Sequence, residues 1–379
     1  MRFQRAIEGL PDSRYPEIDE RGFNHSVPAI NGQPASSPVR GNAVSIAHNH
    51  TVEIQMVREN IADNATLYAT SSDDSIFTVE TPEQGKPCAT GKKVNLTLNT
   101  QFVLGTQPAV AQLEIRYGKP DGPVIACLLV YVMPMLVVNI QPHLVAINDA
   151  SKPGTAPLIQ LDSIAPLVQA IWYNAGVSLN FAKAKMVTFQ GSKADYLEFA
   201  EVNAVLNTHW QSGHINVYVV QELEDALGYG FSVDDYKGYG IAHPSVFLGL
   251  NDSSSGIQRT NDNLYCANDI AHEIGHFFTL RHPSDGPKDN HTWQRFDSWS
   301  MRLLMHNWNT TWRDPADTAH NGADWPEFNQ FGYGNSPHGP YRGAAIPLKT
   351  INPGKRGVDG QCAAARNHIA RGAARLYGA

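Results

Sequence analysis

The chain has 379 residues, a formal net charge of −7, 42% hydrophobic residues and four cysteines. At about one domain per 150 residues the length points to two domains, and Lys and Arg are dispersed without a basic stripe, so no nucleic-acid partner is expected. The strongest apolar run, residues 124–138, is broken by Pro134 and rich in β-branched residues, which reads as strand rather than as a membrane span.

Residues 1–42 are short of periodic hydrophobics and contain PEIDERG and NGQPASSPVRGN, the composition of an arm or linker. The N-terminus is charged throughout and lacks the apolar stretch of a secretory signal. From 43 to 135 the pattern changes to short alternating runs: AVSIAH, TVEIQMV, TLYATS, SIFTVET, KVNLTLN, AQLEIRYG and ACLLVYVM. Seven such runs at near-regular spacing predict an all-β sandwich, which resembles the small Ig-like modules appended to many bacterial surface and secreted proteins. The resemblance implies a binding or spacer role toward a surface or secretion-machinery partner, against the plainer reading of a folding partner for the domain behind it. Cys88 and Cys127 fall in the first half and Cys266 and Cys362 in the second; two intradomain disulfides and four reduced thiols are both open readings.

From residue 136 the period lengthens. LVVNIQPHLVAI predicts a first strand, the segment around APLIQLDSIAPLVQAIWYNAG a helix, VSLNFAKAKMVTF a second strand, INVYVVQEL a third, GYGIAH an edge strand and SVFLGL a last one. Next comes HEIGHFFTLRH, residues 272–282. On a helix His272 and His276 leave the same face one turn apart and can grip one metal ion, with Glu273 beside them. Ile270, Ile274, Phe277 and Phe278 supply the opposite, buried flank, and Asn261, Asp262 and Asn263 offer N-caps. HExxH alone arises by chance in about two of a hundred such sequences, and adding His282 at its spacing lowers that to about one in a thousand, so the third histidine makes the pattern specific. Three neutral imidazoles and one open position describe a catalytic zinc site.

The segment resembles the metzincin clan of zinc metallopeptidases, whose pattern HExxHxxGxxH is followed by a methionine-containing turn. The resemblance implies that residues 136–379 form an α+β zincin domain with a twisted mixed sheet, a backing helix, an active-site helix and an irregular lower half ending in a C-terminal helix. It implies His272, His276 and His282 as ligands of one catalytic Zn2+, Glu273 as general base and Met305 as the turn methionine, with Leu303 and Leu304 before it. It also implies that the edge strand holds extended peptide, which makes Gly240, Ile241 and Ala242 candidate substrate contacts. Trp308 and Trp312 are candidate walls of the substrate pocket. Two positions depart from the pattern. Thr279 stands where glycine leaves the helix with positive φ, and Asn307 stands where some families place a tyrosine, so Tyr333 or a backbone amide becomes the candidate for oxyanion stabilisation.

The implied activity is a zinc-dependent endopeptidase acting on a peptide or protein. Alternatives are an amide hydrolase for cell-wall peptides and a binding protein with a vestigial zinc site; Glu273 argues against the latter, because holding zinc requires no carboxylate there. With no signal sequence, export by a specialised machine of the type VI kind is expected, with the cytoplasm as alternative.

Overall fold

The computed structural model describes residues 1–7, 11–16, 18–19, 42–80, 86–224, 226, 228–232, 236–252, 257–258, 263–280, 304, 365–366 and 368–370. The chain is mixed α/β, with several sheets and few helices among the described residues, and divides into two compact units. The first takes in Met1–Leu136 and Ala170–Val177; the second takes in Val137–Gln169, Ser178–Ala344 and Ala364–Ala379.

The first unit carries nine strands: β1 (Arg2–Arg5), β2 (Ile18–Asp19), β3 (Asn42–Ala47), β4 (Thr51–Val57), β5 (Leu67–Ser71), β6 (Phe77–Glu80), β7 (Lys93–Thr100), β8 (Ala109–Tyr117) and β9 (Val124–Met133). They form a four-stranded sheet in the order β1-β4-β7-β6 and a five-stranded sheet in the order β2-β3-β9-β8-β5. All pairings are antiparallel except β3 with β9, which is parallel. Alternation explains the packing: Val52, Ile54 and Met56 of β4 face inward, as do Leu96 and Leu98 of β7, and they meet Leu113, Ile115, Leu128 and Val130 of the other sheet in one core. Each of the seven runs expected from the sequence is a strand. The reading of residues 1–42 as an arm is corrected for the described part of that segment. Arg2–Arg5 pairs along β4, with Phe3 in the core, and Ile18–Asp19 pairs with β3. Strands of four and two residues are too short to show a period in the sequence. Cys88 and Cys127 are buried free thiols, so the disulfide between them is excluded. Burial pushes the Cys127 thiol up to about 11.

The second unit is built on an eight-stranded sheet. Its elements are β10 (Leu136–Asn148), α1 (Leu161–Tyr173, whose residues from Ala170 on fall in the first unit), β11 (Val177–Phe181), β12 (Lys185–Gln190), β13 (Tyr196–Leu197), α2 (Val202–His209), β14 (Ile215–Leu223), β15 (Gly228–Phe231), β16 (Ser245–Asp252), β17 (Ile257–Gln258) and α3 (Asn263–Phe277). The main path runs β11-β10-β14-β16-β15, with β12 on β10, β13 on β14 and β17 on β16. Strands β10, β14 and β16 are parallel, and the buried runs at residues 217–220 of β14 and 246–250 of β16 are apolar, as in strands covered on both faces. Strand β15 is antiparallel to β16 and ends the path. Val145, Val187, Tyr218, Phe231 and Phe247 on one face pack with Val202, Val205 and Leu206 of α2. The expected second strand is two strands, interrupted at residues 182–184, and both lie along β10. No described helix is long and apolar enough to cross a membrane.

His143 of β10 has no exposed surface. Its Nε2 pairs with Asn216 Oδ1 at 3.0 Å and its ring stacks on Tyr218 at 4.5 Å. Burial pulls its pKa down from 6.5 to about 4, outweighing the opposite effect of the Asn216 bond. The unfolded imidazole takes up its proton near 6.5 and the folded one only near 4, so folding stability falls as pH drops through that window. In urea unfolding of zinc-free protein across this range, His143→Phe is expected to lose stability less steeply than the wild type. Equal slopes would assign the pH dependence to other groups.

Candidate metal centre

Helix α3 follows from an apolar stripe: Cys266, Ala267, Ile270, Ala271, Ile274 and Phe277 are buried, and Phe278 continues the stripe past the last turn. The helix lies beside β15 and β16. Its other flank carries His272, Glu273 and His276. The two rings lie with centroids 4.8 Å apart, nearly perpendicular at 85°. His272 and Glu273 are buried and His276 is half-buried.

The tautomers follow from the partners. His272 Nδ1 meets the carbonyl of Leu304 at 2.7 Å, and His276 Nδ1 meets the carbonyl of Leu280 at 2.8 Å. A carbonyl oxygen only accepts, so in each ring Nδ1 carries the hydrogen and donates it, and Nε2 is the nitrogen with the lone pair. Metal-ligating histidines are oriented by the same kind of contact. Two imidazoles bound to one zinc at about 2.1 Å with a tetrahedral angle have centroids about 5 Å apart. The observed separation fits.

The helix ends through Thr279. Its φ of +67° is left-handed, so this threonine adopts the conformation for which the sequence pattern uses glycine. Thr279 N donates to His276 O at 2.8 Å and Leu280 N to Gly275 O at 2.9 Å, the paired bonds of a Schellman stop. Thr279 Oγ1 donates to Phe278 O at 2.5 Å. The reversal brings the Leu280 carbonyl back over the helix end, where it holds His276. A β-branched residue in this region costs about 1 to 2 kcal/mol, so strain is stored one turn from the histidine pair.

The site residues expected from sequence divide into three groups. His272, Glu273 and His276 come together on one flank of α3. His282, Met305, Trp308, Trp312 and Tyr333 lie outside the described residues. Among the described residues no group of three His, Cys, Asp or Glu gathers into a ligand cluster. Gly240, Ile241 and Ala242 are not in an edge strand, which corrects that expectation. Residues Tyr236–Tyr239 form a 3₁₀ turn closed by Gly240 at φ +72°. Asn203 of α2 then takes up the backbone that was to hold peptide. Its Nδ2 donates to Gly240 O at 2.7 Å, and its Oδ1 accepts from Ala242 N at 2.7 Å. Ile241 is buried in the core beneath α2. The antiparallel edge is instead Gly228–Phe231, which lies against α3.

Sequence reasoning missed Leu280 and the role of the Leu304 carbonyl, because a carbonyl acceptor leaves no residue-type signature. It also missed Gly228 and Gly230, although glycines two apart in a strand signal a close backbone approach.

No family model matches the chain, and no curated protein does. Among solved structures, mature mirolysin of Tannerella forsythia in complex with a cleaved peptide is weakly similar, at 15% identity and a TM-score of 0.27, over 39% of this chain and 64% of that one. A sialyltransferase from Photobacterium damsela is similar at 12% identity and a TM-score of 0.18, over 47% of this chain and 35% of that one. The chain thus spans less than two thirds of either protein. Superpositions this loose fix neither fold nor activity.

Thr279→Gly removes the strained side chain. It is expected to raise stability by about 1 kcal/mol, seen as a melting temperature higher by about 2 to 4 °C, with metal uptake unchanged. A lower melting temperature would show that the Thr279 Oγ1 bond outweighs the strain.

Proposed function

We propose that this chain is a zinc-dependent endopeptidase whose metal is held by His272, His276 and His282 and whose general base is Glu273. One observation supports the reading: both imidazoles of α3 are held at Nδ1 by main-chain carbonyls, in the tautomer that leaves the lone pair on Nε2. Two histidines fixed this way on adjacent turns, with a carboxylate between them, have no purpose in core packing, where an apolar residue would be cheaper to bury.

A divalent ion bound there would polarise a scissile carbonyl and bring the pKa of a nearby water to about 7. Glu273 accepts that water's proton as the water attacks, then delivers it to the leaving amine. The Leu304 and Leu280 carbonyls keep both rings from turning as charge develops. In this reading Leu304, buried and bonded to His272, precedes the turn methionine Met305. Extended peptide lies along β15, which among the described residues has one sheet neighbour, β16, and runs antiparallel to it. The first unit is proposed as an Ig-like module in front of the catalytic domain.

Zinc content by mass spectrometry, paired with cleavage of a quenched peptide library, tests the assignment. One zinc per chain is expected in the wild type and in Glu273→Ala, with cleavage reduced by roughly 100-fold or more in the variant. His272→Ala is expected to lose the metal. Cleavage that survives Glu273→Ala would overturn the role of the carboxylate, and zinc without cleavage in the wild type would favour a vestigial binding site.

A further inference from the structure

Strand β15 approaches the motif helix more closely than side chains permit. A Cβ built on Gly228 would lie 2.6 Å from Glu273 Oε1 and 2.7 Å from both Cδ and Cγ of the same side chain. A Cβ built on Gly230 would lie 2.4 Å from Glu273 O and 2.5 Å from His276 Cβ. All these distances are below van der Waals contact, so each glycine is required by what faces it. What faces them differs. Gly230 meets the helix backbone, which can yield only if strand and helix separate. Gly228 meets the carboxyl end of a single side chain, which can yield by rotating.

Alternation along the strand explains why both glycines face α3. Phe231 packs into the core beneath α2 and Tyr229 packs against that core, with its hydroxyl donating to Glu224 O, so the even positions, 228 and 230, turn to the opposite face. Glu273 is only 6% exposed, and the space above Gly228 is where its carboxyl sits.

We propose that Gly228 is a positioning residue for Glu273. The side chain missing at 228 creates the slot that sets the rotamer of the general base relative to His272 and His276, whereas Gly230 serves the packing of strand on helix. The assignment of a kinetic role rests on the hydrolase reading above; the slot itself does not. A methyl group at 228 displaces the carboxyl while leaving both imidazoles and their carbonyl partners in place. Catalytic geometry tolerates little displacement, and about 1 Å can cost up to roughly 100-fold in rate.

The test compares full-length zinc-loaded Gly228→Ala and Gly230→Ala with the wild type. It measures zinc affinity by chelator competition, melting temperature, kcat and KM on the best library peptide, and the crystal structure of Gly228→Ala. Gly228→Ala is expected to bind zinc within about threefold of the wild type and to melt within about 3 °C of it. Its kcat should fall by about tenfold or more with KM within about twofold, and the Glu273 carboxyl should be displaced by about 1 Å or more in its crystal structure. Gly230→Ala is expected to lose melting temperature and zinc affinity together. A Gly228→Ala enzyme with kcat within about twofold of the wild type, or with Glu273 unmoved, overturns the proposal while leaving the hydrolase reading intact. So does a loss confined to zinc affinity and melting temperature, which would make Gly228 a packing residue like Gly230. If the wild type binds zinc but does not cleave, the hydrolase reading fails, and the position of Glu273 in the variant crystal then decides the slot alone.

Discussion

Helix α3 can present two defined Nε2 lone pairs on one flank because a main-chain carbonyl holds the far side of each ring. An imidazole without such a partner rotates and exchanges tautomers, and a pair of them would offer a metal no fixed geometry. The two carbonyls come from different places. Leu280 lies four residues beyond His276 and is returned to it by the left-handed turn at Thr279. Leu304 lies 32 residues beyond His272 and reaches it from a separate part of the chain. Strain at one residue and a long-range hydrogen bond at the other therefore converge on the same function, to hold Nδ1 so that Nε2 is defined.

The sheet supplies the second constraint. Strands β10, β14 and β16 form a parallel core buried on both faces, and such a core is rigid because its side chains interlock above and below. The antiparallel strand β15 is added at its edge, where close approach to α3 is possible only through Gly228 and Gly230. Glu273 is thus bounded by a strand backbone on one side and by its own helix on the other. A carboxylate on an exposed helix face would be free to sample several rotamers; this one is confined by main chain.

Much of the fold was legible because its signal is local. Seven alternating runs between residues 43 and 133 became seven strands, since burying every second side chain of a sandwich strand forces a period of two into the sequence. Helix α3 was legible for the analogous reason, with Ile270, Ile274, Phe277 and Phe278 all buried. The strands Arg2–Arg5 and Ile18–Asp19 were not, because pairing with neighbours far along the chain, rather than their own pattern, makes them strands. The departure at Thr279 was visible as a departure, but only the backbone shows that the threonine accepts the left-handed conformation instead of ending the helix another way.

The tripeptide Gly-Tyr-Gly occurs at 228–230 and again at 238–240, and composition cannot tell the two apart. Tertiary structure made the first an edge strand, since its glycines let it lie against α3, and made the second a turn, since Gly240 adopts positive φ and Asn203 binds the backbone on either side of Ile241. The sequence by itself determined the residue types of the site, His272, Glu273 and His276, because helical spacing alone puts them on one flank. Which nitrogen each histidine turns outward, and how the carboxylate between them is confined, were decided only by the tertiary structure, because the partners are backbone carbonyls and missing side chains, which no residue type announces.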